Sequence, residues 1–418
     1  MLDIKFIREN AQKVQEAIEL KGVDLDLNQL LELDKKVLEL KKKIQSLQTQ
    51  KNSNAKLGKQ ASSSLKEEWI QQGKSISEQL KKLTPHLDQM TQQLQEGLWL
   101  VPNLPAPDAP QGKNVKIREW GQLPQFSFQP LNHIELLQKN QWAELERIAK
   151  VCGSRHYSFK GQLVQVEFAL IQYAMEKLRN KGFTLLSVPA LVQEFALYGS
   201  GHFPIAREQN YFLPKDHLYL SGTAEVMVNA LHSGEILKEQ DLPLLYSAYS
   251  PCFRREAGHA GRDVRGLMRV HQFMKLEQFV ITKNDPQDSE HWHQKMLSIS
   301  EEILQELEVP YQLIEICTGD MGLGKVRMHD LECWVPSEGR YCETHSCSTL
   351  YDWQARRVNL RYRDQQGKIH FCHTLNNTVI ATPRILIPLL ENHQQPDGRI
   401  RFPKKFVEKY PSIFLEES

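Results

Sequence analysis

Apolar residues recur at alternating intervals of three and four in two long stretches near the N-terminus. The first holds Leu30, Leu33, Val37, Leu40, Ile44 and Leu47; the second holds Ile76, Leu80, Leu83, Leu87, Met90 and Leu94. This spacing is the a/d seam of helices packed on each other. The intervening stretch 52–64 is rich in Ser, Asn and Lys and reads as the turn. The pattern therefore predicts an antiparallel helical hairpin. Thirty helical residues rise about 45 Å, so each arm is long. Pro85 falls inside the second run and is expected to kink or loosen it.

The stretch 101–112, VPNLPAPDAPQG, carries four prolines in twelve residues. It reads as a stiff linker and a boundary. The expected organisation is a helical N-terminal domain over 1–100, a linker over 101–114 and a second domain over 115–418. Past the linker the pattern predicts helices at about 131–153 and 163–181. Between and after them come strand-like runs such as LPLLYSAYSPCFRRE, LMRVHQFMKLEQFVIT and HDLECWVP. Strands joined locally without regular βαβ alternation predict an α+β fold: a mixed, mainly antiparallel sheet with flanking helices.

Composition narrows the class. Of 418 residues, 40% are hydrophobic and 25% charged, and the net charge is +1. No global basic field exists, so a nucleic-acid partner needs local patches. Residues 28–100 hold twelve lysines and eight acids. That excess fits either a solvated coiled-coil face or an arm that tracks a phosphate backbone. No apolar run reaches the roughly 18 residues of a membrane span, so no membrane partner is expected. The first twenty residues resemble neither a secretory nor a transit signal. Seven cysteines without a CxxC pair suggest a reducing compartment, and cytoplasm is the expected location.

Side chains alternate faces along a strand. From Met268 to Val280 one face carries Arg269, His271, Phe273, Lys275, Glu277 and Phe279. The other carries Val270, Met274, Leu276 and Val280. Arg254 and Glu256 also sit two apart, as do Thr223 and Glu225. Arginine forks bind phosphate or carboxylate, aromatics stack on bases, and carboxylates accept from ammonium or hydroxyl. Such a floor suits a ligand with anionic and cationic parts. The stretch from Gly319 to Lys325 lacks the spacing of a phosphate-binding loop. Cys342, His345, Cys347, His370, Cys372 and His373 fit no common zinc spacing, and no zinc is expected.

With these residues laid out, the chain resembles the class II aminoacyl-tRNA synthetases, and within them the bacterial-type seryl-tRNA synthetases. GFTLLSVPAL resembles motif 1, which in the family forms the interface of a homodimer. FRREAGHAGRDVRGLMRVHQFMKLEQF resembles motif 2, and HTLNNTVIATPRILIPLLEN resembles motif 3. CTGDMGLG, HDLECWVP, ETHSCS and DWQARR resemble the remaining signatures.

The resemblance implies ATP-dependent activation of L-serine to seryl-adenylate. Transfer to the 3′ end of serine tRNA follows, with selenocysteine tRNA as a further candidate acceptor. It implies catalytic roles for Arg254 and Arg384, with Arg254 on the α-phosphate and Arg384 stacked on the nucleotide or on the γ-phosphate. Glu256 would meet the adenine edge, Phe273 would stack under it, and Arg269 would add a phosphate contact. Arg255, Thr344 and His345 fall among the ATP-binding positions. Glu343 and Ser346 match positions that hold ATP and its Mg²⁺. They have opposite strand parity, so a bulge or bend is expected between them. Thr223, Ala224, Glu225, Arg254, Glu277 and Thr378 match the serine-binding positions. Which carboxylate takes the ammonium is left open. The hairpin arm would grip the tRNA.

Motif 3 departs from the usual pattern. Thr378 stands where serine is common, and Val379 and Pro383 stand where glycines are common. Pro383 is expected at the first turn of the next helix, and Pro388 is expected to kink it. Arg255 and His259 replace smaller residues in motif 2. Two other readings are a relative that loads a carrier protein and a non-catalytic protein with the same fold. The hairpin argues against the first, and Arg254 and Arg384 argue against the second.

Overall fold

The computed structural model describes residues 1–60, 63–257 and 266–414. His259 and most of the motif 2 loop lie outside the described residues. Contacts divide the chain into a helical unit over Leu2–Pro102 and a body from Asn103 onward.

In the helical unit, α1 (Ile4–Glu9) and α2 (Ala11–Leu20) precede α3 (Leu27–Gln60) and α4 (Ser63–Leu100). Arg8 grips Asp34 through two hydrogen bonds of 2.6 and 2.9 Å, fastening α1 to α3. The seam residues Leu30, Val37, Ile44 and Leu47 of α3 and Met90 and Leu94 of α4 are buried. Gly97 passes so close to Leu30 that an added Cβ would lie 2.5 Å from its Cδ1.

One expectation changes here. Stretch 52–64 is helical at all but residues 61–62, which are not described. Asn54 is buried and donates to Gln72 Oε1 at 3.3 Å, and Gly58 packs on Trp69. Such pairing overrides weak helix propensity. Pro85 does not end α4. Half-buried Leu83 and Leu87 keep the seam on both sides of it, and packing of an apolar stripe supplies most helix stability.

The strands of the body, in chain order, are β1 (Val115–Trp120), β2 (Thr184–Ser187), β3 (Leu191–Gln193), β4 (Tyr211–Leu213), β5 (Leu218–Leu220), β6 (Ile236–Lys238), β7 (Leu244–Phe253), β8 (Gln272–Thr282), β9 (Tyr311–Glu315), β10 (Arg327–Val335), β11 (Arg340–Tyr351), β12 (Arg361–Arg363), β13 (Ile369–Phe371) and β14 (His373–Thr382). Eight form one sheet in the order β1-β9-β10-β11-β14-β8-β7-β2. Only β2 and β7 pair in parallel within it. The sheet is mixed and mainly antiparallel, as the pattern implied.

The helices of the body used below are α5 (His133–Lys139), α6 (Leu145–Cys152), α7 (Gln162–Asn180), α8 (Glu194–Ser200), α9 (Glu225–Leu231), α10 (Pro286–Glu306), α11 (Trp353–Val358) and α12 (Leu386–Asn392). One core packs α7, α10 and α12 against Leu276, Val280, Leu331, Leu375 and Ile380. The second packs α8, α9 and α11 against Ala248, Phe279 and Ile281. Both faces of β8 are therefore covered from Lys275 to Thr282.

The single helix expected over 131–153 is two helices. Asn140 breaks it by donating from Nδ2 to Leu136 and Gly398 carbonyls, both at 2.9 Å, and Gln141 takes φ 56°. Proline-rich residues 103–114 pack on the body. Asn103 Nδ2 donates to the carbonyls of Gly324 and Leu350 at 3.1 and 2.8 Å, and Ala109 is buried with Ile314, Ile316 and Met321.

Motif 3 also differs from expectation. Pro383 follows a cis peptide in the turn before α12, outside the helix. Pro388 is the third residue of α12, where a backbone N–H has no intrahelical partner in any case. It therefore breaks no bond.

Candidate active site

Arg254, Glu256, Arg269, Phe273, Glu343, Thr344, Thr378 and Arg384 line one cleft of about 520 Å³, together with Lys275 and Pro383. Four separate chain segments supply these residues, and each is held by local bonds.

The strand β7 ends at Phe253, so Arg254 and Glu256 are not strand neighbours. Arg254 leaves the sheet with its N–H on the His271 carbonyl at 2.9 Å. Its guanidinium lies 5.2 Å from the centre of the Phe273 ring and donates to the Gly222 carbonyl at 3.4 Å. Glu256 turns inward through a left-handed φ of 49°. Its carboxylate pairs with Arg269 at 3.2 Å, and its carbonyl accepts from Arg155 at 2.9 Å. Arg269 and His271 precede β8, which starts at Gln272.

Arg384 reaches across to Glu343 at 3.7 Å and donates to the carbonyls of Glu343 and Met268 at 3.4 Å. Burial lowers its pKa, and repulsion from Arg254 and Arg269 adds to the shift while Glu343 opposes it. An arginine stays charged through such a shift. Three guanidiniums held close together call for a polyanion.

The expected irregularity in β11 is present. Leu331 pairs with His345 and Glu332 with Glu343, so Thr344 is an extra residue. The bulge turns Glu343 and Ser346 to one face and His345 to the other. His345 is buried and bonds Thr344 Oγ1 at 2.7 Å, away from the cleft lining. Ser346 pairs with Asp330 across the strands. Burial is the main cause that pushes the Asp330 carboxyl up to about 8, with Glu343 adding to it.

Thr223 and Glu225 stand at the start of α9, not on a strand. The Glu225 N–H bonds Thr223 Oγ1 at 3.2 Å. Glu225 Oε1 accepts from Gln354 at 2.7 Å and from Asn376 at 2.8 Å. Burial alone would raise the Glu225 pKa, but Lys325, His202, Gln354 and Lys275 outweigh it and hold the carboxyl low. Glu277 lies opposite Thr378 in the β8–β14 register. Burial and Glu225 push its pKa up while Lys275 opposes them. Lys275 Nζ donates to Thr223 Oγ1 at 2.7 Å and pairs with Glu277. This lysine joins the two groups of residues.

Arg255 is not brought to the cleft; its side chain is half exposed and lies 3.6 Å from Glu208. Ala224 is buried in the second core. The Cys and His residues weighed for zinc are scattered: Cys347 lies in the first core, Cys372 in the second, and His370 on β13 pairs with Asp364 at 2.8 Å. No group of three or more His, Cys, Asp or Glu that could hold a metal occurs among the described residues. Lys275, Gln354 and Asn376 were not singled out from the sequence. Lys275 shares strand parity with Phe273 and Glu277, and Asn376 with Thr378, so alternation offered a signal for those two. Gln354 offered none.

Residues 1–105 match the family description "Seryl-tRNA synthetase N-terminal domain", and residues 211–393 match "tRNA synthetase class II core domain (G, H, P, S and T)". A serine–tRNA ligase of Deinococcus radiodurans is 52% identical over 407 residues, covering 96% of both chains. Among solved structures, seryl-tRNA synthetase from Pyrococcus horikoshii complexed with ATP has a TM-score of 0.89 at 37% identity, covering 98% of each chain. The cytoplasmic serine–tRNA ligase of Naegleria fowleri in complex with AMP has a TM-score of 0.85 at 28% identity, covering 99% of this chain and 97% of its own.

Proposed function

The chain belongs to the class II seryl-tRNA synthetases and is a serine–tRNA ligase, and we propose how its cleft divides the work. ATP lies among Arg254, Arg269 and Arg384, with the adenine on Phe273 and near Glu256. Serine lies beyond Lys275, among Thr223, Glu225, Glu277 and Thr378. The observation that carries this reading is the single cleft in which three arginines and Phe273 meet Lys275 and Thr378.

The serine carboxylate attacks the α-phosphorus of ATP. A new O–P bond forms as the bond to the pyrophosphate oxygen breaks. A terminal ribose hydroxyl of tRNA then attacks the seryl carbonyl, and AMP leaves. Such chemistry depends on positioning and charge neutralisation rather than on a protein nucleophile. Arg254 and Arg384 supply fixed positive charge. Buried carboxylates receive the serine ammonium and hydroxyl. A pocket whose polar groups need a hydroxyl partner rejects alanine.

Magnesium fits this donor set. The bulge in β11 gives Glu343 and Ser346 a common face, and Mg²⁺ is usually held by one or two carboxylates together with substrate phosphates. Glu343 and Ser346 would hold it, and the ion would supply charge neutralisation on the phosphates.

Tertiary partners follow from surface chemistry. The lysines of α3 at 35, 36, 41, 42, 43 and 51 are exposed, which supports an arm that tracks the tRNA backbone. Exposed Phe168, Leu185, Leu191 and Phe195 around β2 support a homodimer through motif 1. Six of the seven cysteines are buried and none forms a disulfide among the described residues, which supports a cytoplasmic location.

The test of the site is ATP–pyrophosphate exchange with serine, threonine, alanine, glycine and cysteine in turn, on the parent and on Arg254→Ala. Exchange with serine alone in the parent, and none in the variant, is expected. Normal exchange by the variant would remove Arg254 from the site.

A further inference from the structure

Lys275 is a buried cation that the roles above leave unexplained. It is 5% exposed and sits in mid-sheet on β8. An unpaired charge at such a position is costly. Two partners account for its being there. Its Nζ donates to Thr223 Oγ1 at 2.7 Å, and it is ion-paired with Glu277.

The consequences differ for the two partners. Thr223 Oγ1 also accepts from the Glu225 N–H at 3.2 Å. A hydroxyl has two acceptor positions and one proton. With both acceptor positions taken, Thr223 has only its proton to offer to a bound molecule. Glu277 and Glu225 are both buried and repel each other. Such a pair favours protonation of one member. Lys275 is the cation in contact with Glu277, so it favours the ionised, accepting form. Lys325 adds to the positive field at both carboxylates.

We propose that Lys275 is a positioning residue for serine: it presets Thr223 as a hydrogen-bond donor and Glu277 as an ionised acceptor before the amino acid enters. This rests on the assignment of Thr223 and Glu277 to the serine pocket. Lys275 itself need not touch serine. Its charge decides which way the pocket's hydrogen bonds point, and hence that a hydroxyl-bearing amino acid with an ammonium is accepted.

Lys275→Met and Lys275→Arg are compared with Glu277→Gln by serine- and ATP-dependence of pyrophosphate exchange. The Met variant keeps the length and loses the charge. Its KM for serine should rise about 30-fold or more, the loss expected of a hydrogen bond to a charged group. Its KM for ATP should stay within about threefold, since no uniform binding to the nucleotide is removed. The Arg variant keeps the charge and should recover most of the serine affinity. If the Met variant does not fold, Lys275→Gln takes its place with the same expected rise. A neutral variant with parental KM for serine overturns the proposal. So does an equal rise for serine and ATP that arginine does not rescue, because packing alone would cause it. Glu277→Gln separates the two levels of the argument. Parental exchange by that variant would sink the pocket assignment itself, whereas a crippled Glu277→Gln beside a parental neutral variant would sink only the role of Lys275.

Discussion

Thr378 on β14 stands directly opposite Glu277 on β8, and the next residue, Val379, is a bulge before the register resumes at Ile380 and Leu276. Directly opposed side chains share a face about 5 Å apart. The bulge sends Val379 into the first core, where it is fully buried. Val379, which stands where a glycine is common, thus packs in the core, while Thr378 keeps the face it shares with Glu277.

Thr378→Val removes that hydroxyl and keeps the volume. KM for serine should rise about 10- to 100-fold, the usual loss when a buried polar partner goes unpaired. KM for ATP should be unchanged. Serine titrations of pyrophosphate exchange will check this, and an unaltered serine KM would place the hydroxyl outside the pocket.

Removing residues 35–90 and rejoining the stumps of α3 and α4 should leave pyrophosphate exchange near the parental rate. Serine transfer to tRNA should fall by about 100-fold or more, because most of the lysine contacts to phosphate are lost. Parallel exchange and aminoacylation assays distinguish the two. Full charging by the shortened enzyme would refute the role given to the arm.

Gly266 should not tolerate a side chain. It has φ 77°, and an added Cβ would lie 2.3 Å from His133 Nε2 and 3.0 Å from Ile134 Cδ1. That nitrogen accepts from the Leu267 N–H at 3.4 Å, while Glu391 Oε1 holds His133 from the other side at 3.0 Å. Leu267 and Arg269 line the cleft. Gly266→Ala should cost about 1–3 kcal/mol in stability and weaken ATP binding. Thermal melts with and without ATP measure both effects; a parental melting curve would contradict the crowding.

Acid should destabilise the body through buried histidines. His293 Nε2 bonds His329 Nδ1 at 2.8 Å. Burial, with Arg327 and Arg118 adding to it, pushes His329 down to about 4. An unfolded histidine takes up its proton near pH 6.5. Between about 6.5 and 4 the unfolded chain therefore binds more protons, and stability falls as pH drops through that window. His329→Gln should flatten the pH dependence of the urea midpoint there. An identical slope in the variant would assign the acid sensitivity to other groups.

The sequence by itself determined what its local patterns encode. The heptads of α3 and α4 and the alternation along β8 are periodic, so spacing reveals them, and the motif residues lie close enough in sequence to carry the resemblance to the family. The roles implied for Glu343 and Ser346 also called for a bulge or bend between them, and the strand register places it at Thr344. Only the tertiary structure decided which groups meet. Gln354 on α11 and Asn376 on β14 hold Glu225 on α9, over separations of 129 and 151 residues. Alternation placed Lys275 on one face with Phe273 and Glu277, but only packing buried it and left Thr223 and Glu277 beside its ammonium. The turn at Glu256, the break at Asn140 and the place of Pro388 were likewise set by long-range contacts and chain geometry, which outweigh local preference where the two disagree.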